Sequence, residues 1–290
     1  RAVTLPPLPA LACALGLVAA SLRPAPAAAQ TLVLDGTIPE GAPRYFAVPF
    51  TVPAGVREVE VRHDDLSEAN ILDWGLADPE RFRGWGGGNR EPAVVAVEAA
   101  SRSYYPGPMP AGVWSLLIGQ AKVVERPARY RVEVILRTAP TLAAQPERRP
   151  YADARPLSTG ARWYAGDFHV HSRESGDATP TLDEVADYAR GQGLDFVELS
   201  EHNTTSQLDL YAAAQARHPA LLFLPGIEVT TYQGHANAIG ATRWVDFRVG
   251  SADPAVTVAR SVTRGARTVS PSIASPARRG PGHASPMLAP

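Results

Sequence analysis

The chain has 290 residues, 45% hydrophobic and 20% charged, the makeup of a folded protein with room for two domains. With 28 Lys and Arg against 29 Asp and Glu the net charge is -1, so no overall field draws it to nucleic acid or to an anionic membrane. The single cysteine, Cys13, excludes an intramolecular disulfide framework and any cysteine-rich zinc site.

Leu8 to Leu22 is apolar, Arg23 and two prolines follow, and then comes Ala27-Ala28-Ala29. This pattern resembles the apolar region and small-residue cleavage site of a secretory leader, and the run is too short to span a bilayer comfortably. The expectation is a signal peptide over 1–29, cleaved after Ala29. The mature protein would be exported to the periplasm or medium, with no stable membrane anchor.

Residues 30–140 read as an all-β domain. Phe46, Val48, Phe50 and Val52 alternate, as do Val59 and Val61, and Tyr130, Val132, Val134 and Leu136. Turn signals such as Pro53-Ala54-Gly55 and Pro110-Ala111-Gly112 separate the runs. Short strands in this rhythm predict a β-sandwich of jelly-roll type. The run Gly84-Trp85-Gly86-Gly87-Gly88 lacks the Lys-Ser/Thr of a phosphate-cradling loop and reads as a loop at the sandwich edge. Trp85, Tyr104 and Tyr105 are candidates either for stacking on a sugar ring or for the core. A proline-rich stretch over 141–160 then reads as a linker.

From 161 to 262 strands and helices alternate. In Asp167-Phe168-His169-Val170-His171-Ser172, strand geometry puts Asp167, His169 and His171 on one face, roughly 6.6 Å apart in steps of two residues. Two imidazoles at that spacing can converge on one divalent ion. Thr181 to Gln192 reads as a helix, with Thr181 and Glu184 as a capping box. Asp195–Leu199 is a short strand, Leu208–Arg217 a second helix, and Leu221–Leu224 a third strand. Three successive strands thus end in potential ligands: His169 and His171, then Glu201 and His202, then Glu228, with His235 shortly after. Nitrogen and oxygen donors without sulfur suit zinc, manganese or iron.

These segments resemble a known group. Asp167–Ser172 is similar to the first motif of the PHP (polymerase and histidinol phosphatase) superfamily, Ser200-Glu201-His202-Asn203 to its second, and Pro225-Gly226-Ile227-Glu228 to its Gly-x-Glu motif. The run from Glu228 to Gly240 resembles the carbaryl-hydrolase-like CehA/McbA branch, many of whose members carry an N-terminal β domain. The resemblance extends over about Trp163 to Arg260. It implies a distorted (β/α)7 barrel holding one to three divalent ions, with His169, His171, Asp177, His202 and Glu228 at ligand positions and His235 a ligand or near neighbour. Glu201 stands where the second motif usually has aspartate and is the candidate catalytic carboxylate. The implied activity is hydrolysis of an ester-like bond in a small molecule, phosphoester or carbamate/carboxyl ester, by a metal-activated water.

The family's later His-Pro and Asp-x-His segments do not occur, and Arg264 to Pro290 is a run of Arg, Ser, Pro, Ala and Gly. The expectation is therefore the N-terminal part of a barrel, a disordered or frame-shifted tail over 263–290, and weak binding of about one ion. A rival reading from another class is a non-catalytic exported binding protein that works through its sandwich.

Overall fold

The computed structural model describes residues 29–248 together with the pairs 270–271 and 275–276. The expected leader, up to residue 28, and the rest of the expected tail lie outside the described residues.

Eight strands come first: β1 (Gln30–Ile38), β2 (Tyr45–Val52), β3 (Glu58–Asp64), β4 (Ile71–Ala77), β5 (Phe82–Gly87), β6 (Ala93–Ala96), β7 (Gly112–Lys122) and β8 (Ala128–Arg137). They form two antiparallel four-stranded sheets, ordered β1-β8-β3-β6 and β2-β7-β4-β5. Alternation explains why the two sheets face each other. On β8, Ala128, Tyr130, Val132, Val134 and Leu136 point inward, while Arg129 and Arg131 are exposed. They meet Trp114, Leu116 and Ile118 of β7 and Trp74 and Leu76 of β4 in one buried cluster. Full burial of each such aliphatic side chain contributes roughly 1.5–3 kcal/mol.

The second unit contains β9 (Gly166–Val170), α1 (Leu182–Gly191), β10 (Phe196–Leu199), a 3₁₀ turn (Ser206–Leu210), α2 (Tyr211–Arg217), β11 (Leu222–Thr231) and β12 (Gly234–Ile239). Two strand pairs, β13 (Ser270–Pro271) and β14 (Ser275–Pro276), lie against β12 within the stretch expected to be disordered. Helix α1 starts at a capping box: Thr181 Oγ1 accepts from Glu184 N, and Glu184 accepts in return from Thr181 N. Its apolar face (Leu182, Val185, Ala186 and Ala189) packs with Val197 and Leu199 of β10 and Tyr211 and Ala214 of α2.

The expected (β/α)7 barrel is not what forms. Among the described residues strand outweighs helix (41% against 10%), with two α-helices. Only β9, β10 and β11 run parallel; β12 returns antiparallel to β11. The cause is local. Only Tyr232 and Gln233 separate β11 from β12, with Thr231 Oγ1 donating to the Gly234 carbonyl across the turn. A connection this short makes a hairpin, whereas a parallel neighbour needs a crossover of a dozen or more residues. Strand β11 is also longer than the expected Leu221–Leu224, so Glu228 sits inside it, opposite Asn237 of β12.

Instead of a helical shell, one side of this open sheet takes the sandwich. Trp85 and Leu117 cluster with Ile227, Val229 and Phe247. Tyr45 stacks on Tyr232 at 5.0 Å, and Phe82 on Trp244 at 4.1 Å between ring centres. The expected linker is pinned to both units. Gln145 bonds the backbone of Ala100, and Arg148 pairs at 3.0 Å with the buried Glu174, which also accepts from Ser206 Oγ at 2.7 Å.

Candidate metal centre

The centre is assembled around Glu228. Holding Glu228 mid-strand fixes its backbone on both sides, through Asn237 on β12 and through Asn203 N and Glu201 O on the segment after β10. His169 lies on β9 and His171 just beyond its end, and both project toward the same carboxylate. Nε2 of His169 and of His171 lie 3.0 and 3.2 Å from Glu228 Oε2, and His202 Nδ1 lies at 3.1 Å. His235 Nδ1, at the start of β12, is 3.0 Å from Oε1. Asp177 Oδ2 completes the group, 3.2 Å from His202 Nε2.

Three overlapping triads result: His169–His171–Glu228, His171–Asp177–His202 and His202–Glu228–His235, each with ligand atoms within 4.8 Å of one another. These clusters could hold metal ions, and a specific observation fits that chemistry. Glu228 Oε2 is buried and has three imidazole nitrogens within 3.2 Å, yet it makes a hydrogen bond with none of them. One carboxylate oxygen cannot accept from three donors. Ligands sharing an ion at bonds of about 2.0–2.2 Å stand roughly 3.0–3.5 Å apart, matching the distances of these nitrogens from Glu228 Oε2.

The electrostatics follow from the same packing. Burial alone would raise Glu228, but the surrounding His169, His171 and His235 hold it far below the usual carboxylate range. The facing Glu228 carboxylate pushes His169 up, whereas burial pushes His171 down, favouring the neutral imidazole that a metal requires. The Asp177 side chain is mostly exposed; neighbouring groups partly desolvate its carboxyl, but His202 overrides this and holds it well below its ordinary value.

All the sequence-predicted ligands come together in this cluster. Glu201 takes a different place: fully buried behind His171, it accepts from Ser172 N (3.1 Å to each oxygen) and from Ser172 Oγ (2.6 Å). Its Oε2 is 3.9 Å from His171 Nδ1, too far for a hydrogen bond. Burial raises its carboxyl well above the ordinary range. Asp167, on the histidine face by alternation, turns back to accept from His169 N at 2.9 Å.

Several supporting residues escaped the sequence reading. Thr230 Oγ1 lies 2.6 Å from His202 Nδ1, and Ser175 Oγ accepts from His202 N. Asn203, in the left-handed region at φ 55°, bonds the Thr230 backbone at both its N–H and its carbonyl, fastening the His202 loop to β11. Glu198 is buried on β10, and burial lifts its carboxyl to about 7. Its one visible signal was a glutamate inside an apolar four-residue strand.

A cleft of about 500 Å³ opens onto Asp177, His202 and His235, and its opposite wall is the end of β5 and the residues after it, Gly86 to Asn89. The glycine-rich run is at the sandwich edge, but Gly84 to Gly87 belong to strand β5 and not to a loop, and that edge faces the metal centre. Trp85 and Tyr104 are each only 3% exposed, so they belong to the core and not to a stacking surface.

Fold and site together define a β-sandwich docked on an open mixed sheet that carries a histidine–carboxylate cluster able to hold metal ions. No family model matches the chain, and no curated protein matches it.

Proposed function

We propose that the protein is a metal-dependent hydrolase of an ester-like bond in a small molecule, phosphoester or carbamate/carboxyl ester. The observation that carries this reading is the convergence of His169, His171 and His202 on one buried, unbonded oxygen of Glu228. The motif resemblance from Asp167 to Gly240 supports it. His169, His171 and Glu228 would hold one ion, and Asp177 and His202 would hold a second together with His171, with His235 beside His202 and Glu228; zinc, manganese and iron suit the donors. Bound ions would supply Lewis acidity and a nucleophilic water near neutral pH.

The chain's own residues do the rest. Glu228 and the imidazoles would fix the reacting centre beside the cleft, onto which Asp177, His202 and His235 open. Ser172 and Glu201 lock the backbone that follows His171, so Glu201 acts as a positioning residue and not at the reacting atoms. Thr230 and Asn203 set the orientation of His202. The sandwich wall narrows access for water.

The test is elemental analysis after loading with zinc, manganese or iron, followed by assays on nitrophenyl esters and phosphoesters. Bound metal and hydrolysis should both be lost in the His169→Ala/His171→Ala double variant, with the sandwich still folded by circular dichroism. Equal metal in wild type and variant would remove these histidines from the site. Metal without hydrolysis of any probe would favour a binding protein.

A further inference from the structure

The cleft wall opposite the metal ligands belongs to the sandwich, and it has a chemical character of its own. Asp73, on β4, lines the cleft. Its Oδ2 accepts a 2.8 Å hydrogen bond from Tyr232 Oη, which reaches across from the turn between β11 and β12. The Tyr232 ring is fixed in turn by stacking on Tyr45. Gly119 leaves room for the Tyr232 hydroxyl, since a Cβ there would collide with it. The other Asp73 oxygen, Oδ1, accepts no hydrogen bond among the described residues. It faces Gly88, where a Cβ would come within 3.5 Å of it.

No Lys or Arg is among the described residues lining this cleft. Away from the metal centre it therefore offers an acceptor and no cation, which disfavours a second anionic group on a ligand. With ions bound by the His202 cluster, an ammonium group in the cleft would be repelled. What fits is an uncharged donor. Burial raises Asp73 to about 6, so near pH 7.5 the carboxylate is ionised and accepts strongly. The bare backbone of Gly86 to Gly88 lines the cleft, whose volume is in the range of small-molecule sites.

We infer that the sandwich forms the substrate-recognition half of the cleft, with Asp73 the specificity-determining acceptor for a hydroxyl on an uncharged part of the substrate. That the ligand is a substrate, and that a cation is disfavoured, rest on the hydrolase reading and its bound ions; that Asp73 accepts from an uncharged hydroxyl does not. A phenol and a sugar share this chemistry.

Ligand-observed NMR on metal-free protein can test the inference, using hydroquinone, its dimethyl ether, terephthalate and methyl glucoside as probes. Hydroquinone or methyl glucoside should bind about tenfold more tightly than the ether and the dianion, as expected for one charge-assisted hydrogen bond. Whichever of the two binds better identifies the source as phenol or sugar. Asp73→Ala should reduce the preference to within about twofold. Gly88→Leu, which fills the space before Oδ1 from the sandwich side, should block every probe and keeps the test decisive if Asp73→Ala fails to fold. Equal binding of hydroquinone, methyl glucoside and the ether, an intact preference in Asp73→Ala, or unchanged binding in Gly88→Leu would each overturn the assignment. Metal content measured on the same preparations separates the two readings. Loss of metal binding in wild type would sink the hydrolase reading while the NMR result still decides the subsite.

Discussion

Glu228 and Asp177 are carboxylates of one centre held by different means. Glu228 is part of β11, with hydrogen-bonded neighbours on both sides and a side chain only 5% exposed. Asp177 lies on the loop between β9 and α1, with its side chain 66% exposed. That loop rests on the sandwich: Gly176 approaches the Gly86 backbone so closely that a Cβ would strike the Gly86 carbonyl, and Ser103 Oγ donates to the Glu174 carbonyl at 2.8 Å. One half of the centre is therefore arranged by a sheet, and the other half depends on a neighbouring unit. Ligand geometry that rests on a rigid ladder needs little further ordering, whereas a loop must be held by whatever it touches.

The largest expected effect tests that division directly. Glu228 and His171 each take part in two of the three triads, and Asp177 in one. Glu228→Ala should remove all tightly held metal, a loss of affinity on the order of a thousandfold or more, because it leaves several imidazoles with no shared anion. Asp177→Ala should cost one ion only, weakened roughly ten- to a hundredfold. Elemental analysis after exhaustive dialysis reads both. Equal losses in the two variants would mean that the centre is one unit and the division is wrong.

A smaller effect should come from a residue that touches no metal. Gly176→Ala pushes the Asp177 loop off the Gly86 carbonyl, and we expect about tenfold weaker binding of the second ion with the first unchanged. Gly191→Ala, at the end of α1 where a new Cβ meets nothing, is the matched control and should change neither. Competition with a chelating dye measures both sites. An unaltered second site in Gly176→Ala would show that the sandwich does not position this loop.

The same contrast marks what could be read in the sequence. Strands such as β2 and β8 are legible because alternation of buried and exposed residues has a fixed period. The ligand types were legible because histidines and carboxylates at strand ends are chemically conspicuous. The closure of a barrel was not. The motifs around His169, His202 and Glu228 are local, and they are compatible with any arrangement that keeps three parallel strands adjacent. The two-residue turn at Tyr232-Gln233, between the alternating runs of β11 and β12, carried the topological information but was read as part of a motif. The Asp73–Tyr232 bond joins residues 159 apart on separate units, and no local pattern announces it. Gly84 to Gly88 could be placed at an edge; what covers that edge is set by Trp85, Leu117 and Ile227 packing in three dimensions.

The smallest effect concerns the stability of the sandwich itself, and so of the loop-held half. His63 stacks on Trp74 at 4.7 Å, one residue from Asp73 in the cleft wall. Burial there disfavours the imidazolium and lowers its pKa from 6.5 to about 4. Between those values the unfolded chain binds a proton that the folded chain does not, so stability falls as the solution is acidified from 6.5 toward 4. Above 6.5 both states are neutral and the contribution is fully present. The loss between about pH 7.5 and about pH 5 should be about 2 kcal/mol. His63→Phe keeps the stacked ring and removes the titration, so its urea midpoint should fall less over the same interval. Monitoring Trp fluorescence on metal-free protein keeps the histidine ligands' metal chemistry out of the measurement. If wild type and His63→Phe lose stability in parallel, His63 is not what makes the sandwich acid-sensitive. If they diverge, acid should release the second ion earlier from wild type than from His63→Phe, because the wall that holds Gly176 is the part that loosens.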